Sequence, residues 1–285
     1  MFKRNLEKSV ITELQRNPLW INHLKADCEN GVVFFAIRKD EIGFYHNGGR
    51  LFKFDKNGFS THVKYASVIS ETDKDYLTET KLKNKDYDLI SDFSENYDRI
   101  KENCGLYSGV EALGVSEIYN KHSYLSYPKN EIVVLDIEIA FEAMTVGNKL
   151  DIIDILLFDT STQTLKFVEA KHYSNDEIRS DKKAPQVISQ INRYEDQIAD
   201  KKTDILNAYT EYIKIVHTMF NKSLPLPVKV EDKVTLLIFG FDTDQRAGRL
   251  NKQVVKNEFY EGYTVYRKGE IKKVVLENLW KQKPL

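Results

Sequence analysis

Two apolar runs joined by a short polar link occupy residues 150–171, LDIIDILLFDTSTQTLKFVEAK. The link is DTSTQT, the first run contains Asp154 near its start, and the second run ends in Glu169-Ala170-Lys171. Two such runs around so short a link predict a β-hairpin. Apolar strands are usually buried, so the charged residues at the open end of this hairpin need partners or a metal ion.

The turn sets the register of this hairpin. With its centre between Ser161 and Thr162, Asp154 lies opposite Glu169. Facing residues on paired strands share one side of the sheet, with Cβ atoms about 5 Å apart. Side chains alternate along a strand, so Lys171 lies on the same side as Glu169. We therefore expect two carboxylates and one ammonium to converge, which suits Mg²⁺ because it takes hard oxygen ligands and keeps several waters.

An Asp, a strand, a turn, a second strand and then Glu-x-Lys resemble the signature of the PD-(D/E)XK nuclease superfamily, which has a restriction-endonuclease-like fold. Asp154, Glu169 and Lys171 stand at the matching positions. Downstream, Gln190 and Tyr194 form Q-x-x-x-Y, which follows the Glu-x-Lys strand on a helix in the RecB-type branch. The resemblance covers roughly residues 107–240 and leaves the N-terminal part unexplained.

The resemblance implies a nuclease that hydrolyses phosphodiester bonds, with DNA as partner and Mg²⁺ or Mn²⁺ as cofactor. Asp154, Glu169 and the backbone carbonyl of Ala170 would hold the metal, and Lys171 would orient or deprotonate water or stabilise the transition state. Gln190 and Tyr194 would position the scissile strand or the lysine. A stand-alone protein of this kind suits phage defence, mobile-element processing or DNA repair, as a homodimer or in a larger complex.

Other acidic residues compete for this metal or add to it. Asp151 is the alternative to Asp154, because it also precedes the strand and a bulge would bring it to the metal. Asp136 and Glu138 share a face of a predicted apolar strand, residues 130–141. Carboxylates there are costly unless they bind a metal, pair with a cation or sit at the solvent end, and we expect Glu138 to be a further ligand or to position water.

Two further sets of residues follow from the resemblance alone. A helix before the first core strand sometimes offers an acid to the metal in the family, and Glu111 and Glu117 are the candidates, although solvent-facing helix carboxylates are common. The loop after the Glu-x-Lys strand approaches the DNA backbone in the family. Here it carries Arg179, Lys182 and Lys183, and a solvated connector is the alternative interpretation.

The sequence of the N-terminal part predicts an antiparallel β-unit preceded by a helix over residues 2–15. Its strands are separated by turn residues that include two Asn-Gly pairs, which favour tight hairpin turns. The segments are GVVFFAIRK, EIGFYHN, RLFKFDK and FSTHVKYASV. The many aromatic residues of this unit either stack on unpaired bases or fill its core, and we favour the core because aromatics are common in buried strands.

The rest of the chain completes a mixed sheet flanked by helices, an α/β (α+β) fold. We predict helices over residues 185–202, 206–220 and 243–258, a buried strand in VTLLIFGFD and a final hairpin in GYTVYRKGEIKKVVL. The expected domains are the β-unit at 1–75, a helical connector at 76–106 and the nuclease-like domain at 107–285.

Composition limits the class of protein. No apolar run approaches the roughly 20 residues of a membrane span, the N-terminus lacks a signal peptide's apolar centre, and the two cysteines are far apart. These features predict a cytoplasmic protein with no membrane partner. The net charge of −1 is unhelpful for binding phosphate. It favours the alternative function, a catalytically silent nuclease-fold module that binds nucleic acid or a protein.

Overall fold

The computed structural model describes residues 2–68, 79–85, 87–126, 131–141, 151–179 and 183–285. Its strands are β1 Phe34–Ile37, β2 Ile42–His46, β3 Gly49–Asp55, β4 Gly58–Ser60, β5 Ile132–Ala140, β6 Ile152–Asp159, β7 Thr164–His172, β8 Lys229–Val230, β9 Thr235–Phe239 and β10 Thr264–Lys268. Its α-helices are α1 Lys8–Arg16, α2 Lys25–Glu29, α3 Val63–Ala66, α4 Glu79–Asn84, α5 Tyr97–Leu106, α6 Val110–His122, α7 Gln186–Phe220, α8 Thr243–Gln245 and α9 Leu276–Trp280. π-Helices cover Trp20–Leu24 and Arg246–Val255, and 3₁₀ turns cover Asp176–Ile178, Glu258–Tyr260 and Ile271–Lys273.

The N-terminal strands form a four-stranded antiparallel sheet in the order β1-β2-β3-β4. The first Asn-Gly pair turns the chain as predicted, because Asn47 and Gly48 both have a positive φ, 46° and 79°. The predicted fourth strand is wrong beyond Ser60. The side chain of His62 accepts a hydrogen bond from the backbone N–H of Lys64 and caps α3, so the chain turns into a helix there.

The aromatic residues of this sheet fill the core, as favoured above. Phe34, Phe35, Phe44, Phe52 and Phe54 are at most 2% exposed. The core they form is continuous with that of the large sheet. The ring of Phe35 lies 5.1 Å from that of Phe220 at the end of α7, for example. The domain boundaries stay a prediction.

The second sheet has six strands in the described part of the chain, in the order β10-β9-β7-β6-β5 with β8 beside β7. β5, β6 and β7 are antiparallel, whereas β9 and β10 run parallel to β7. The hairpin register is confirmed, with Ile155 opposite Val168 and Asp159 opposite Thr164. A mixed sheet flanked by helices, beside a small antiparallel sheet, confirms the predicted fold class.

Further predicted elements differ from the structure. The final hairpin is wrong, because β10 pairs in parallel with β9 and the chain then forms a 3₁₀ turn and α9. The buried residues Leu276 and Leu279 after Gly269 are three positions apart, a spacing that suits a helix packed on the core. The two helices predicted after residue 185 form the single helix α7, which is kinked at Lys201. No helix in the described residues has the length and apolar character needed to span a membrane.

Candidate metal centre

Three carboxyl groups lie in a row across three neighbouring strands. The hairpin register, extended one residue beyond the pair of Ile155 and Val168, sets Asp154 on β6 opposite Glu169 on β7. On the other side of β6, the pairs that flank Glu138 on β5 set this residue opposite Asp154. Neighbouring strands are about 5 Å apart, so the three residues occupy one narrow strip of the sheet, which we call the carboxylate row.

The two central acids are poorly compensated. Asp154 is half-buried, and its Oδ2 accepts a hydrogen bond of 2.7 Å from the backbone N–H of Ala170. Burial, followed by the charge of Glu169, raises the pKa of Asp154 well above its ordinary range. Glu169 is 1% exposed, and its Oε2 has no hydrogen-bond partner. Burial raises the pKa of Glu169 to about 7, even though Lys171 lowers it.

Lys171 lies among three carboxylates. Its Nζ is 2.9 Å from Glu169 Oε1, 2.9 Å from Glu177 Oε2 and 3.9 Å from Glu111 Oε1. Burial by itself lowers the pKa of Lys171, but Glu169 and the other acids outweigh it and raise this pKa above its ordinary value. The lysine is therefore held as an ammonium ion that can donate hydrogen bonds.

Of the two acids predicted on the helix, the structure brings Glu111 to the site. Its Oε2 accepts hydrogen bonds from the backbone N–H of His172 at 2.9 Å and from Asn175 Nδ2 at 3.0 Å. Helix α6 reaches this position because Gly114 lets it lie directly on Phe239, whose ring would be 2.2 Å from an added Cβ. Glu117 points elsewhere and pairs with Lys272.

The Q-x-x-x-Y residues brace the backbone beside Asp154. Gln190 Nε2 donates to the hydroxyl of Tyr194 at 2.6 Å, and that hydroxyl donates to the carbonyl of Ile152 at 2.6 Å. Gln190 Oε1 is buried without a hydrogen-bond partner. Burial, followed by the charges of Glu169 and Asp154, raises the pKa of Tyr194, which shows that its hydroxyl lies near the central acids.

The alternative ligand Asp151 is engaged by α7. Its carboxylate pairs with Arg193 Nη2 at 3.1 Å and accepts a hydrogen bond from Gln197 Nε2 at 2.8 Å. Asp154, which faces Glu169, has no such cation of its own among the described residues. The geometry thus favours Asp154 for the metal.

Asp136 belongs to a different cluster although it shares β5 with Glu138. It is fully buried, and its carboxylate contacts Arg4 at 3.0 Å, Arg38 at 2.7 Å and the hydroxyl of Tyr209 at 2.8 Å. These partners use both of its oxygens. Asp136 is therefore a structural ion-pair residue in this fold.

Sequence analysis did not single out Glu177. It lies in the 3₁₀ turn after β7, where Asn175 Oδ1 accepts a hydrogen bond of 2.9 Å from the Glu177 backbone N–H. An Asn two residues before an acid is common in polar loops, so no sequence signal separates Glu177 from its neighbours. Arg179 in the same loop donates to the carbonyl of Tyr173, and Lys182 lies outside the described residues.

The acids present suit a hard divalent cation. Among the described residues, no three His, Cys, Asp or Glu side chains are already arranged around a common metal position. Mg²⁺ takes only one or two carboxylates from many proteins and completes its shell with waters and substrate phosphate. Asp154 and Glu169 provide two, and the unpartnered Glu169 Oε2 is an acceptor that a cation would satisfy. The role of the Ala170 carbonyl stays a prediction.

Comparisons of the chain with protein-family models, with curated proteins and with solved structures gave no match. The superfamily resemblance therefore stays a prediction that rests on the residues described above.

Replacing Glu169 by glutamine should stabilise the metal-free protein at neutral and alkaline pH. The pKa of Glu169 rises from 4.5 to about 7 on folding, so the folded state resists its ionisation. Ionisation of Glu169 therefore lowers the free energy of unfolding. This loss is absent below about pH 4.5, grows as the pH rises to about 7, and then amounts to about 3 kcal/mol. Urea unfolding with a chelator at several pH values measures it.

The matched control for this experiment is Glu117→Gln, which changes a carboxylate on α6 whose side chain is 42% exposed. It should leave the pH dependence of the unfolding free energy as in the wild type. An equal difference in unfolding free energy between Glu169→Gln and wild type at about pH 4 and about pH 8 would contradict the raised pKa of Glu169.

Proposed function

We propose that the protein is a nuclease that hydrolyses phosphodiester bonds of DNA with the help of Mg²⁺ or Mn²⁺. The observation that carries this proposal is the carboxylate row, in which Asp154 faces the buried Glu169 and the ammonium of Lys171 stands beside them. Buried carboxylates without compensation are costly, and a cation with a bound phosphate would compensate them. The chain order α6-β5-β6-β7-α7-β9 also agrees with the nuclease core that the resemblance implies.

Each residue of the site has a role in the proposed reaction. Asp154 and Glu169 would hold the ion, with the Ala170 carbonyl and Glu138 as further ligands. A bound ion would polarise the phosphate, make a bound water more acidic and neutralise developing charge. Lys171 is held as an ammonium, so we assign it the donation of hydrogen bonds to a phosphate oxygen or to water rather than the removal of a proton.

Cations for the phosphate backbone lie on the same face of the sheet. Arg267 on β10 pairs with Ile238 on β9, and Ile238 pairs with Lys171 on β7. Three strands in register put Lys171 and Arg267 on one face, with their backbones about 10 Å apart. Burial and then the charge of Arg246 lower the pKa of Arg267. The charge of Arg246 therefore acts on Arg267, and neither guanidinium group forms an ion pair with a described residue.

More basic residues lie on the segment that follows β9 and at the end of β10. The basic edge, as we call the whole set, consists of Arg246, Arg249, Lys252, Lys256, Arg267 and Lys268. β7, β9 and β10 run parallel and end at this edge, next to Lys171. Local clustering of this kind binds phosphate even when the net charge is −1.

Lys171→Met should abolish metal-dependent DNA cleavage while leaving the fold intact. The substitution keeps the apolar stem and removes the charge that stabilises the transition state, a loss of at least about 100-fold in rate. Cleavage of plasmid and of single-stranded DNA with Mg²⁺ or Mn²⁺ measures it. Lys233→Met is the control, since it changes an exposed lysine paired with Glu195.

Two results would contradict the proposed nuclease activity. The first is a Lys171→Met variant that cleaves as fast as the wild type. The second is a wild type that cleaves neither DNA and whose melting temperature Mn²⁺ does not shift. That result would favour the catalytically silent module.

Replacing Arg246 and Arg267 together by glutamine should weaken DNA binding and make it less dependent on salt. Each lost phosphate contact lowers the slope of log affinity against log salt by about 0.7 to 0.9, so the pair lowers it by about 1.4 to 1.8. Fluorescence anisotropy with a labelled oligonucleotide in a chelator measures this. Lys8→Gln with Lys56→Gln is the control of equal charge, and an equal loss in both proteins would contradict the assignment of the basic edge.

A further inference from the structure

Glu138 has an unusual backbone conformation for a residue in the middle of a strand. Its φ is 49°, in the left-handed region, which is unfavourable for a residue with a Cβ. The other described non-glycine residues with positive φ lie in turns or at helix ends: Asp40, Asn47, Lys85, Gln163 and Asn221. Conformations of this kind persist where the surroundings enforce them, and they are frequent at functional sites.

A side chain next to the small sheet contacts the backbone on both sides of the Glu138 Cα. Arg38 follows β1 in the small sheet, and its Nη2 donates to the carbonyl of Ile137 at 2.5 Å and to that of Glu138 at 3.4 Å. Successive carbonyls of a regular strand point in opposite directions. Here the two carbonyls that flank the Cα of Glu138 approach one guanidinium nitrogen, which the left-handed φ of Glu138 permits.

The guanidinium is itself held in place. Its Nη1 donates to Asp136 Oδ1 at 2.7 Å and to the carbonyl of Ile37 at 3.0 Å. The other oxygen of Asp136 accepts from Arg4 Nε and from Tyr209. Burial by itself raises the pKa of Asp136, but Arg38 and Arg4 outweigh it, so this pKa falls below its ordinary value and the acid stays charged. A planar guanidinium fixed at several acceptors is a rigid clamp.

We infer that Arg38 is a positioning residue through which the small N-terminal sheet fixes Glu138 in the carboxylate row beside Asp154. The inference rests on the proposed function, because it treats Glu138 as a ligand of the same metal. It gives the N-terminal β-unit a role that the superfamily resemblance leaves unexplained. Burial raises the pKa of Glu138, and the positive charge of Arg38 lowers it. Arg38 therefore also favours the ionised form of Glu138, which is the form that binds a cation.

The test is Mn²⁺ binding to the full chain without DNA, measured by isothermal titration calorimetry. Arg38→Ala should weaken Mn²⁺ binding about tenfold, as is common for residues that orient a ligand. Glu138→Gln should weaken it by a similar factor. Adding Arg38→Ala to Glu138→Gln should cause no further loss, because the clamp then has no ligand to position.

Arg4→Ala is the matched control. Arg4 contacts the same carboxylate at 3.0 Å and is 5% exposed, but it donates to no carbonyl on either side of Glu138. It should reduce stability as Arg38→Ala does and leave Mn²⁺ affinity unchanged. Should Arg38→Ala fail to fold, Arg38→Lys keeps the charge beside Asp136 and cannot hold several acceptors at once, so it should show the same loss of affinity.

The outcomes separate this inference from the proposed function. If the wild type bound no Mn²⁺, the proposed function would fall and the inference with it. If the wild type bound Mn²⁺ but Arg4→Ala weakened binding as much as Arg38→Ala, the clamp would be a general structural contact. A further loss when Arg38→Ala is added to Glu138→Gln would likewise overturn the inference and leave the proposed function standing.

Discussion

The close approach of two acids, Asp154 and Glu169, is the constraint on which the site depends. The two acids face each other across a hairpin, and each lies where burial opposes its negative charge. Neighbouring elements add the acids Glu111 from α6 and Glu177 from the 3₁₀ turn, and Lys171 pairs with them. A fold that keeps such an arrangement gives up stability at a place where a cation would restore it.

Two acids on β5, the buried Asp136 and the half-buried Glu138, have different surroundings. Asp136 is satisfied by Arg4, Arg38 and Tyr209, which join the small sheet and α7 to the large sheet. Glu138, two residues later, has burial as the largest influence on its pKa, and that pKa is raised. The charge of Asp136 is paired within the fold, and for Glu138 we propose a metal ion as the partner. Arg38 contacts Asp136 and the carbonyls on both sides of the Glu138 Cα, and it thereby connects the small sheet to the carboxylate row.

Short-range features of the site could be predicted from the sequence. The length of the turn after Asp159 fixes the hairpin register, and alternation then places Asp154, Glu169 and Lys171 together. Side-chain spacing on a helix likewise puts Gln190 and Tyr194 in contact. These are local consequences of periodicity, and the strands of the small sheet follow from the same signals.

Long-range features could not be predicted. Arg38 is separated from Ile137 and Glu138 by about 100 residues, and only the packing of two sheets brings them together. The left-handed conformation of Glu138 is hidden because glutamate rarely adopts it. The prediction of a final hairpin is wrong for a related reason. The turn residues Lys268-Gly269 after a strand have the same local pattern whether the next segment forms a strand or a helix.

The most direct test of the central claim is a crystal structure of the protein soaked with Mn²⁺, with anomalous diffraction used to locate the ion. The account predicts an anomalous peak between Asp154 and Glu169, about 2.0 to 2.3 Å from oxygens of both carboxylates, and its loss in Asp154→Asn. An ion bound only at other acids, or no ion in crystals that leave these carboxylates accessible, would contradict it.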